Sequence, residues 1–201
     1  MTISNERENP MKIVSVLGSP RENANSTTIA NRFCKSAEKL GAEVKSFVLN
    51  DLQFRGCQGC MACKTKLDRC ILEDDLTEVL EAVRETDILV LASPVYYWDV
   101  SGQLKCFLDR TFSYLVPDFI TNPVKSRLPS GKKLLMILAQ NNPDEKNFTN
   151  IFPKFDYFFR AYGFSETLLI RACGVSAPGA VASRKEVMML AEKAAEKLCG
   201  S

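Results

Sequence analysis

The sequence predicts an α/β protein built on one doubly wound parallel sheet, with helices covering both faces. Short apolar runs rich in β-branched residues alternate along the chain with longer segments in which apolar residues recur every three or four positions. This alternation is typical of parallel sheets, because each pair of parallel strands needs a crossover connection that is usually a helix. No internal repeat or low-complexity tract divides the chain. We therefore expect a single domain over residues 11–201.

Five strands follow from the apolar runs. The first extends from Ile13 to Leu17 and ends at Gly18, and the third is apolar throughout after its leading Asp87. Continuous apolar runs of this length are expected for strands that are buried on both faces. The five predicted strands cover residues 13–17, 43–49, 87–92, 134–139 and 167–173.

The helices between these strands are predicted from apolar stripes and from residues that cap helix ends. Asn25 or Ser26 is the predicted cap of the first helix. The last helix is expected to begin at a capping box formed by Ser183 and Glu186 and to end near Leu198. The predicted helices begin near residues 26, 75, 101, 148 and 183.

Composition excludes several classes of function. The 201 residues carry a formal net charge of +2 without a basic block, which predicts no nucleic-acid partner. No apolar run approaches the ~18 residues that span a bilayer, and the polar residues 1–10 have the pattern of neither a signal peptide nor a transit helix. We expect a cytoplasmic protein, not bound to membranes, in which residues 1–10 form a flexible extension. The absence of histidine excludes Ser-His, Cys-His and His–metal chemistry.

The turn after the first strand, residues 18–27, is the first candidate binding segment. In open α/β sheets ligands bind outside the carboxyl ends of the strands, where the strand order reverses. This turn supplies hydroxyls, amides, one arginine and the free N–H groups of a helix N-terminus, which together favour a phosphate. It contains neither the G-x-G-x-x-G pattern of dinucleotide-binding proteins nor the Gly-Lys-Ser/Thr of a P-loop. The alternative is that these polar residues only cap the helix.

Three large aromatic residues follow the third strand. The segment Ser93-Pro94-Val95-Tyr96-Tyr97-Trp98-Asp99 contains two tyrosines and the only tryptophan of the chain. Exposed aromatic rings in a loop indicate a flat ligand, although they could instead cover the end of the core. In the strand order 2-1-3-4-5 the first and third strands are neighbours. A phosphate bound after one and a ring system bound after the other predict FMN.

These motifs, together with one further along the chain, resemble those of a known family. They are Gly18-Ser19-Pro20-Arg21 with Asn25-Ser26, Ser93-Pro94-Val95-Tyr96, and Gln103-Leu104-Lys105 with Phe107-Leu108-Asp109-Arg110. In this order they resemble the NADPH-dependent FMN reductase family, and a cysteine-rich loop at residues 56–71 makes the chain most similar to the iron–sulfur flavoproteins within it. The resemblance covers nearly the whole chain from Met11. It implies a flavodoxin-like fold, with five parallel strands in the order 2-1-3-4-5, and a homodimer or homotetramer.

The resemblance also implies which residues bind FMN. The residues expected at the phosphate are Ser19, Arg21, Asn25, Ser26 and Thr27. Those expected along the isoalloxazine ring are Pro94, Val95, Tyr96, Tyr97 and Trp98. The loop that follows the fourth strand, with Gln140 and Asn141, is expected at the other edge of the ring. We expect no catalytic side chain, because the flavin itself carries the reaction.

Four of the eight cysteines lie close together, at Cys57, Cys60, Cys63 and Cys70. In a reducing compartment, clustered cysteines hold metal or do redox work more often than they form structural disulfides. Four thiolates at this spacing suit a [4Fe–4S] cluster. Zinc, a redox disulfide and a loop that binds nothing are the alternatives. The other four cysteines are expected to be small buried residues.

The expected function is electron transfer. FMN would receive electrons from NAD(P)H or ferredoxin and pass them singly through the cluster to an unknown acceptor. The alternatives are a clusterless NAD(P)H-dependent FMN or quinone reductase, a non-enzymatic flavodoxin-like electron carrier, and an interaction module without flavin. The helix expected near residues 148–162 is rich in aromatic residues, and some of them are expected to face a subunit interface.

Overall fold

A computed structural model describes residues 9–200, and its centre is one mainly parallel sheet. The strands are β1 (Lys12–Leu17), β2 (Glu43–Val48), β3 (Ile88–Tyr96), β4 (Asp99–Val100), β5 (Lys132–Ala139) and β6 (Phe164–Ala172). The five longer strands run in the order β2-β1-β3-β5-β6 and are all parallel. This is the predicted order 2-1-3-4-5. The unpredicted β4 pairs antiparallel with the end of β3. Residues 1–8 of the expected N-terminal extension lie outside the described residues.

Helices cover both faces of this sheet, as predicted. They are α1 (Asn25–Lys39), α2 (Ala62–Thr65), α3 (Leu76–Glu85), α4 (Gly102–Arg110), α5 (Ile151–Ala161) and α6 (Lys185–Cys199). The buried side chains of α1 and α6 pack in one core with one face of the sheet, including Phe33 and Leu198. The buried side chains of α3, α4 and α5 pack in a second core on the other face, including Phe107 and Phe159. None of the helices described is long and apolar enough to cross a membrane.

The carboxyl ends of β1 and β3 meet at the centre of the sheet. Leu17 is in register with Ala92, and the N–H of Gly18 donates to the Ala92 carbonyl at 2.8 Å. The chain turns to opposite faces after these two strands, into α1 on one side and α4 on the other. The loops after β1 and β3 therefore border the crevice where doubly wound proteins bind ligands.

Two of the predicted helix caps are wrong. Ala24 occupies the N-cap position of α1, and the Asn25 amide instead donates to the Ala177 carbonyl at 3.0 Å. Since the side chain of Asn25 is tied to a distant loop, it is not available to its own helix. The capping box is also wrong, because α6 begins at Lys185 and the Ser183 hydroxyl donates to Ala180 in a preceding 3-10 turn.

The helix predicted to begin near residue 101 does so, and Ser101 caps it. Its Oγ accepts from the N–H of Leu104 at 3.3 Å, so α4 begins directly after β4. At α3 the N-cap position is Asp75, and Oδ1 of the preceding Asp74 accepts from the N–H of Leu76 at 3.1 Å. The aromatic residues of α5 divide between core and surface as expected, since Phe155 and Phe159 are buried whereas Tyr157 and Phe158 are exposed.

Candidate functional site

A cavity of about 240 Å³ lies at the carboxyl ends of β1 and β3. Eight of the twelve residues that the sequence assigned to FMN line it, and they come from the loops after β1, β3 and β5. These eight are Ser19, Arg21, Asn25, Ser26, Pro94, Val95, Tyr96 and Asn141. The structure therefore brings together three segments that are far apart in the sequence.

Two features of the cavity, the Ser26 hydroxyl and the first turn of α1, have the chemistry of an anion site. The Ser26 side chain is buried, and its Oγ has no hydrogen-bond partner among the residues that the structure describes. Ser26 lies in the first turn of α1, whose backbone N–H groups lack partners within the helix. A buried donor without a partner costs about 1–3 kcal/mol, and a phosphate oxygen would satisfy it. The residues present thus fit the phosphate of FMN.

A buried hydrogen-bond chain joins the loops after β1 and β3. The Ser101 hydroxyl donates to the Gly18 carbonyl at 2.6 Å, and the Ser101 N–H donates to Ser93 Oγ at 2.9 Å. A Cβ at Gly18 would lie 2.7 Å from the Leu104 Cβ and 2.9 Å from Ser101 Oγ. Glycine is therefore required where the loop from β1 passes over the start of α4.

The predicted aromatic loop is in fact a β-hairpin. β3 continues to Tyr96, and Tyr97 and Trp98 form the turn to β4, with φ values of 47° and 64°. Tyr97 is 98% exposed and Trp98 67% exposed, and neither lines the cavity. The Trp98 ring packs edge-on against Phe148, with centroids 5.5 Å apart. The hairpin was missed because its turn lacks the Asn-Gly or Asp-Gly pair that usually marks one.

Two further residues assigned to FMN do not line the cavity. Thr27 is half-buried on α1 just beyond it. Gln140 is buried, and its side chain accepts from Arg171 at 2.8 Å and donates to the Asn142 carbonyl at 2.9 Å. Its amide therefore shapes the loop after β5 and places Asn141 at the cavity.

The loop between β6 and α6 forms a third wall that the sequence analysis did not predict. Val175, Ser176 and Pro178 line the cavity. Arg21 donates to the Ser176 carbonyl at 3.1 Å, so its guanidinium braces this loop beside the cavity. β6 is at the edge of the sheet, but α6 packs beside α1 and brings this loop back over the centre. The signal available in the sequence was the glycine- and proline-containing turn at residues 174–179, directly after a strand.

The four clustered cysteines lie around a second, smaller cavity of about 50 Å³. Cys57 and Cys60 are exposed, Cys63 and Cys70 are half-buried, and all four are free thiols in the structure. The loop bends sharply between them, since Gly59 and Met61 adopt φ values of 61° and 57°. Within residues 9–200, no three His, Cys, Asp or Glu side chains already converge on one metal position. Four cysteines around one cavity are the right donors for a four-thiolate metal group. Among the described residues, however, their sulfur atoms are not yet close enough together to hold one.

Arginine side chains fix both ends of this cysteine loop. The Arg110 guanidinium donates to the carbonyls of Arg55 at 3.2 Å and Leu72 at 3.0 Å, on either side of the cysteines. Arg127 donates to the carbonyl of Cys63 at 3.0 Å. These contacts hold the backbone of the loop against α4 and the turn that follows it.

One lysine of the loop, Lys64 in α2, is buried. The Lys64 ammonium donates to the carbonyls of Phe112 at 2.6 Å and Leu115 at 2.8 Å, and lies 3.6 Å from Cys63 Sγ. Burial lowers the pKa of Lys64, and the neighbouring Cys63 thiol counteracts part of that shift. The cationic side chains of Lys64 and Arg127 therefore lie beside Cys63 in this loop.

The sequence is similar to those of known flavoproteins. The family model of the NADPH-dependent FMN reductases matches residues 11–140. An iron–sulfur flavoprotein of Methanosarcina thermophila is 30% identical, over 70% of this chain and 71% of that protein. An iron–sulfur flavoprotein of Archaeoglobus fulgidus is 38% identical over 52% of this chain. The match spans about half of that relative, 47% of its length.

The fold is shared with solved flavoproteins. The structure of an FMN-dependent NADH-azoreductase from Bacillus anthracis, solved in complex with FMN, superposes with a TM-score of 0.70. The superposition covers 94% of this chain and 99% of the azoreductase at 16% identity, so it shows a common fold. With the family match over residues 11–140, it follows that the chain belongs to the NADPH-dependent FMN reductase family, and that it is similar to the iron–sulfur flavoproteins in that family.

Proposed function

We propose that the protein is an electron-transfer oxidoreductase of the cytoplasm that binds FMN in the cavity at β1 and β3 and holds a [4Fe–4S] cluster on Cys57, Cys60, Cys63 and Cys70. NAD(P)H or ferredoxin is the proposed electron donor. When bound, FMN supplies exchange between two-electron and one-electron transfer, and the cluster supplies one-electron transfer. The observation that carries the proposal is the buried, unpartnered Ser26 hydroxyl at the N-terminus of α1, inside the family's nucleotide crevice.

The chain's own residues bind and orient the cofactors. The first turn of α1 and Ser26 take the phosphate. Val95 and Tyr96 lie at the end of β3 and border the cavity on the side proposed for the ring. The Ser101–Gly18 hydrogen bond keeps these two parts of the site at a fixed separation. Among the residues that the structure describes, no histidine or carboxylate lines the cavity, and the role proposed for this site is to bind and orient the flavin without proton transfer.

Iron and flavin analysis of protein purified without oxygen tests the proposal. We expect a flavin spectrum and about four irons and four sulfides per chain. Cys60→Ser should lose most of the iron and keep the flavin. Cys173→Ser is the matched control, since Cys173 is a half-buried cysteine outside the loop, and it should keep both. A preparation that never binds FMN would contradict the whole proposal.

A clusterless NAD(P)H-dependent FMN or quinone reductase is the second candidate. It is favoured by the cysteine side chains, which do not converge on a metal position within the described part of the chain. Flavin without iron in the anaerobic preparation would select this candidate. Steady-state oxidation of NADPH with a quinone acceptor separates either enzyme from a non-enzymatic electron carrier, which would show no turnover.

We also propose that the chain forms a homodimer or homotetramer. Support comes from an apolar groove of about 1170 Å³ beside α5, where Tyr157 is 72% exposed and Ile120 is 79% exposed. Patches of this kind on a folded chain commonly mark a contact with another protein. Light scattering of the purified protein should give two or four times the chain mass of 22.4 kDa. Tyr157→Glu should shift the mass toward that of one chain, and a wild-type protein that scatters as one chain would contradict this part.

A further inference from the structure

Two lysines, Lys64 and Lys132, are buried among the residues that the structure describes. Each donates hydrogen bonds to two backbone carbonyls, Lys64 to Phe112 and Leu115, and Lys132 to Arg84 and Thr86. Hydrogen bonding therefore satisfies both ammonium groups to a similar degree. They lie on different elements, since Lys64 is in α2 within the cysteine loop and Lys132 begins β5.

The two lysines differ in the acidic groups around them. The carboxylates of Asp87 and Glu85 lie near Lys132. Near Lys64 the acidic groups are the thiols of Cys63 and Cys57, and the closest other charge is the cation of Arg127. Within the described chain, Lys64 makes no ion pair with a carboxylate. A buried ammonium is costly unless an anion balances it, and a four-thiolate metal group on Cys57 and Cys63 would supply negative charge beside Lys64.

Lys64 cannot easily move away from the cysteines. Its Nζ lies 3.6 Å from Cys63 Sγ and 4.1 Å from the centre of the Phe112 ring, while the carbonyls of Phe112 and Leu115 bind it from below. Arg127 binds the same turn, at the carbonyls of Ser113 and Leu115. The charge is therefore preorganised next to a sulfur atom before any metal group is bound.

We propose that Lys64 is a positioning residue for the iron–sulfur cluster. Its ammonium holds Cys63 in place through an N–H···S hydrogen bond, and its fixed positive charge raises the reduction potential of the cluster. This inference rests on the proposed function. The negative charge on a four-thiolate cluster increases when it is reduced, so a nearby cation stabilises the reduced form more than the oxidised form. Net charge and hydrogen bonds to the sulfurs are among the factors that set such potentials.

A redox titration of the iron-loaded protein tests the inference, with visible and electron paramagnetic resonance spectra recording how much of the cluster is reduced at each potential. In Lys64→Met the ratio of reduced to oxidised cluster at a fixed potential should fall at least about tenfold, a shift of ~59 mV for a one-electron couple. Lys64→Arg keeps the charge and should shift the potential less. Lys132→Met is the matched control, because it removes a similarly buried lysine whose ammonium binds the Arg84 and Thr86 carbonyls and no cysteine, and it should leave the potential unchanged.

Two measurements distinguish an effect of the Lys64 charge on the cluster from a purely structural role. They are the reduction potential of Lys64→Gln and its stability against urea with and without iron. Gln keeps hydrogen-bond donors without the charge, so it should lower the potential like Met, and it is the variant to use if Lys64→Met does not fold. Iron loading should stabilise Lys64→Gln less than wild type against urea, because the ammonium that loading neutralises is gone. An iron-loaded Lys64→Gln with the wild-type potential would overturn the inference alone. A wild-type protein that holds no iron when prepared without oxygen would overturn the proposed function and the inference with it.

Discussion

Arg110 and Asp74 form an enclosed ion pair, in which Nη1 of the arginine lies 2.6 Å from Oδ2 and 2.7 Å from Oδ1 of the aspartate. The arginine side chain is fully buried and the aspartate side chain is 16% exposed. The same aspartate accepts from the first N–H of α3, at Leu76, and the same arginine binds both ends of the cysteine loop. One ion pair thus joins α3, α4 and the loop.

Removing this arginine should unfold the region around it. Arg110→Ala leaves Asp74 buried without its cation, which typically costs about 3–5 kcal/mol. Arg110→Lys should also be destabilised, because an ammonium cannot reproduce the fork of bonds that guanidinium makes. Urea denaturation measures both. Lys105→Ala breaks the exposed pair with Asp109 and serves as control, with an expected change within about 1 kcal/mol. Equal effects for Arg110→Ala and Lys105→Ala would contradict this description of the pair.

Gly18 should tolerate no side chain. In Gly18→Ala the new methyl group overlaps the Leu104 Cβ and Ser101 Oγ, and overpacking of this kind costs about 1–3 kcal/mol. Because the overlap pushes apart the loops after β1 and β3, FMN binding should weaken along with stability. Gly102→Ala is the matched control, since a Cβ there meets open space among the described residues. Thermal denaturation and FMN titration of both variants check this, and wild-type binding by Gly18→Ala would show that the junction does not shape the site.

The hairpin turn should be under strain. Non-glycine residues with positive φ cost of order 1–3 kcal/mol each, and Tyr97 and Trp98 both have it. Replacing the pair by Asn and Gly, the residues that this turn type prefers, should raise stability by about 1–2 kcal/mol. If the rings serve the flavin or its electron donor, the same double variant should bind FMN or oxidise NADPH less well. Tyr97→Phe with Trp98→Phe keeps the rings and the strain, and should change neither property. If the Asn-Gly variant is less stable than the wild type, the turn is not strained as described.

The rate of alkylation should distinguish the cysteines of the loop from a cysteine of the core. In the metal-free protein at pH 8, the exposed Cys57 and Cys60 should be alkylated first by iodoacetamide. Burial raises the pKa of Cys34 to about 11, so its thiol stays neutral and unreactive. The stability that this neutral thiol contributes is present below its ordinary pKa of 9.0 and is lost as the pH rises through about 11.

The same alkylation is then repeated on the iron-loaded protein, and mass spectrometry measures how far each cysteine is labelled with and without iron. A bound cluster should protect the four loop cysteines, whereas labelling of Cys173 should not change. Protection of Cys173 together with the loop, or alkylation of Cys34 at pH 8, would disagree with the structure.

The sequence predicted most of the fold and the two candidate sites because local signals carry them. Apolar runs fix the strands, and the rule that ligands bind where strand order reverses directs attention to the loops after β1 and β3. The features that were missed depend on contacts between distant segments. Pro178 reaches the cavity only because α6 packs beside α1, and Asn25 is bound by a loop some 150 residues away in sequence, at Ala177. Lys64 is buried by the turn at residues 111–114, and no pattern around it in the sequence predicts that burial.

Equilibrium titration of the flavin-free protein with FMN and with riboflavin tests the central claim most directly. Riboflavin lacks only the phosphate, so the ratio of the two dissociation constants isolates the anion site at the start of α1. We expect FMN to bind at least about 100-fold more tightly, or ~2.8 kcal/mol, and we expect Ser26→Ala to reduce that ratio. Ser15→Ala, which removes a buried serine hydroxyl within β1, should leave it unchanged. Equal affinities for FMN and riboflavin, or no binding of either, would contradict the assignment of this cavity.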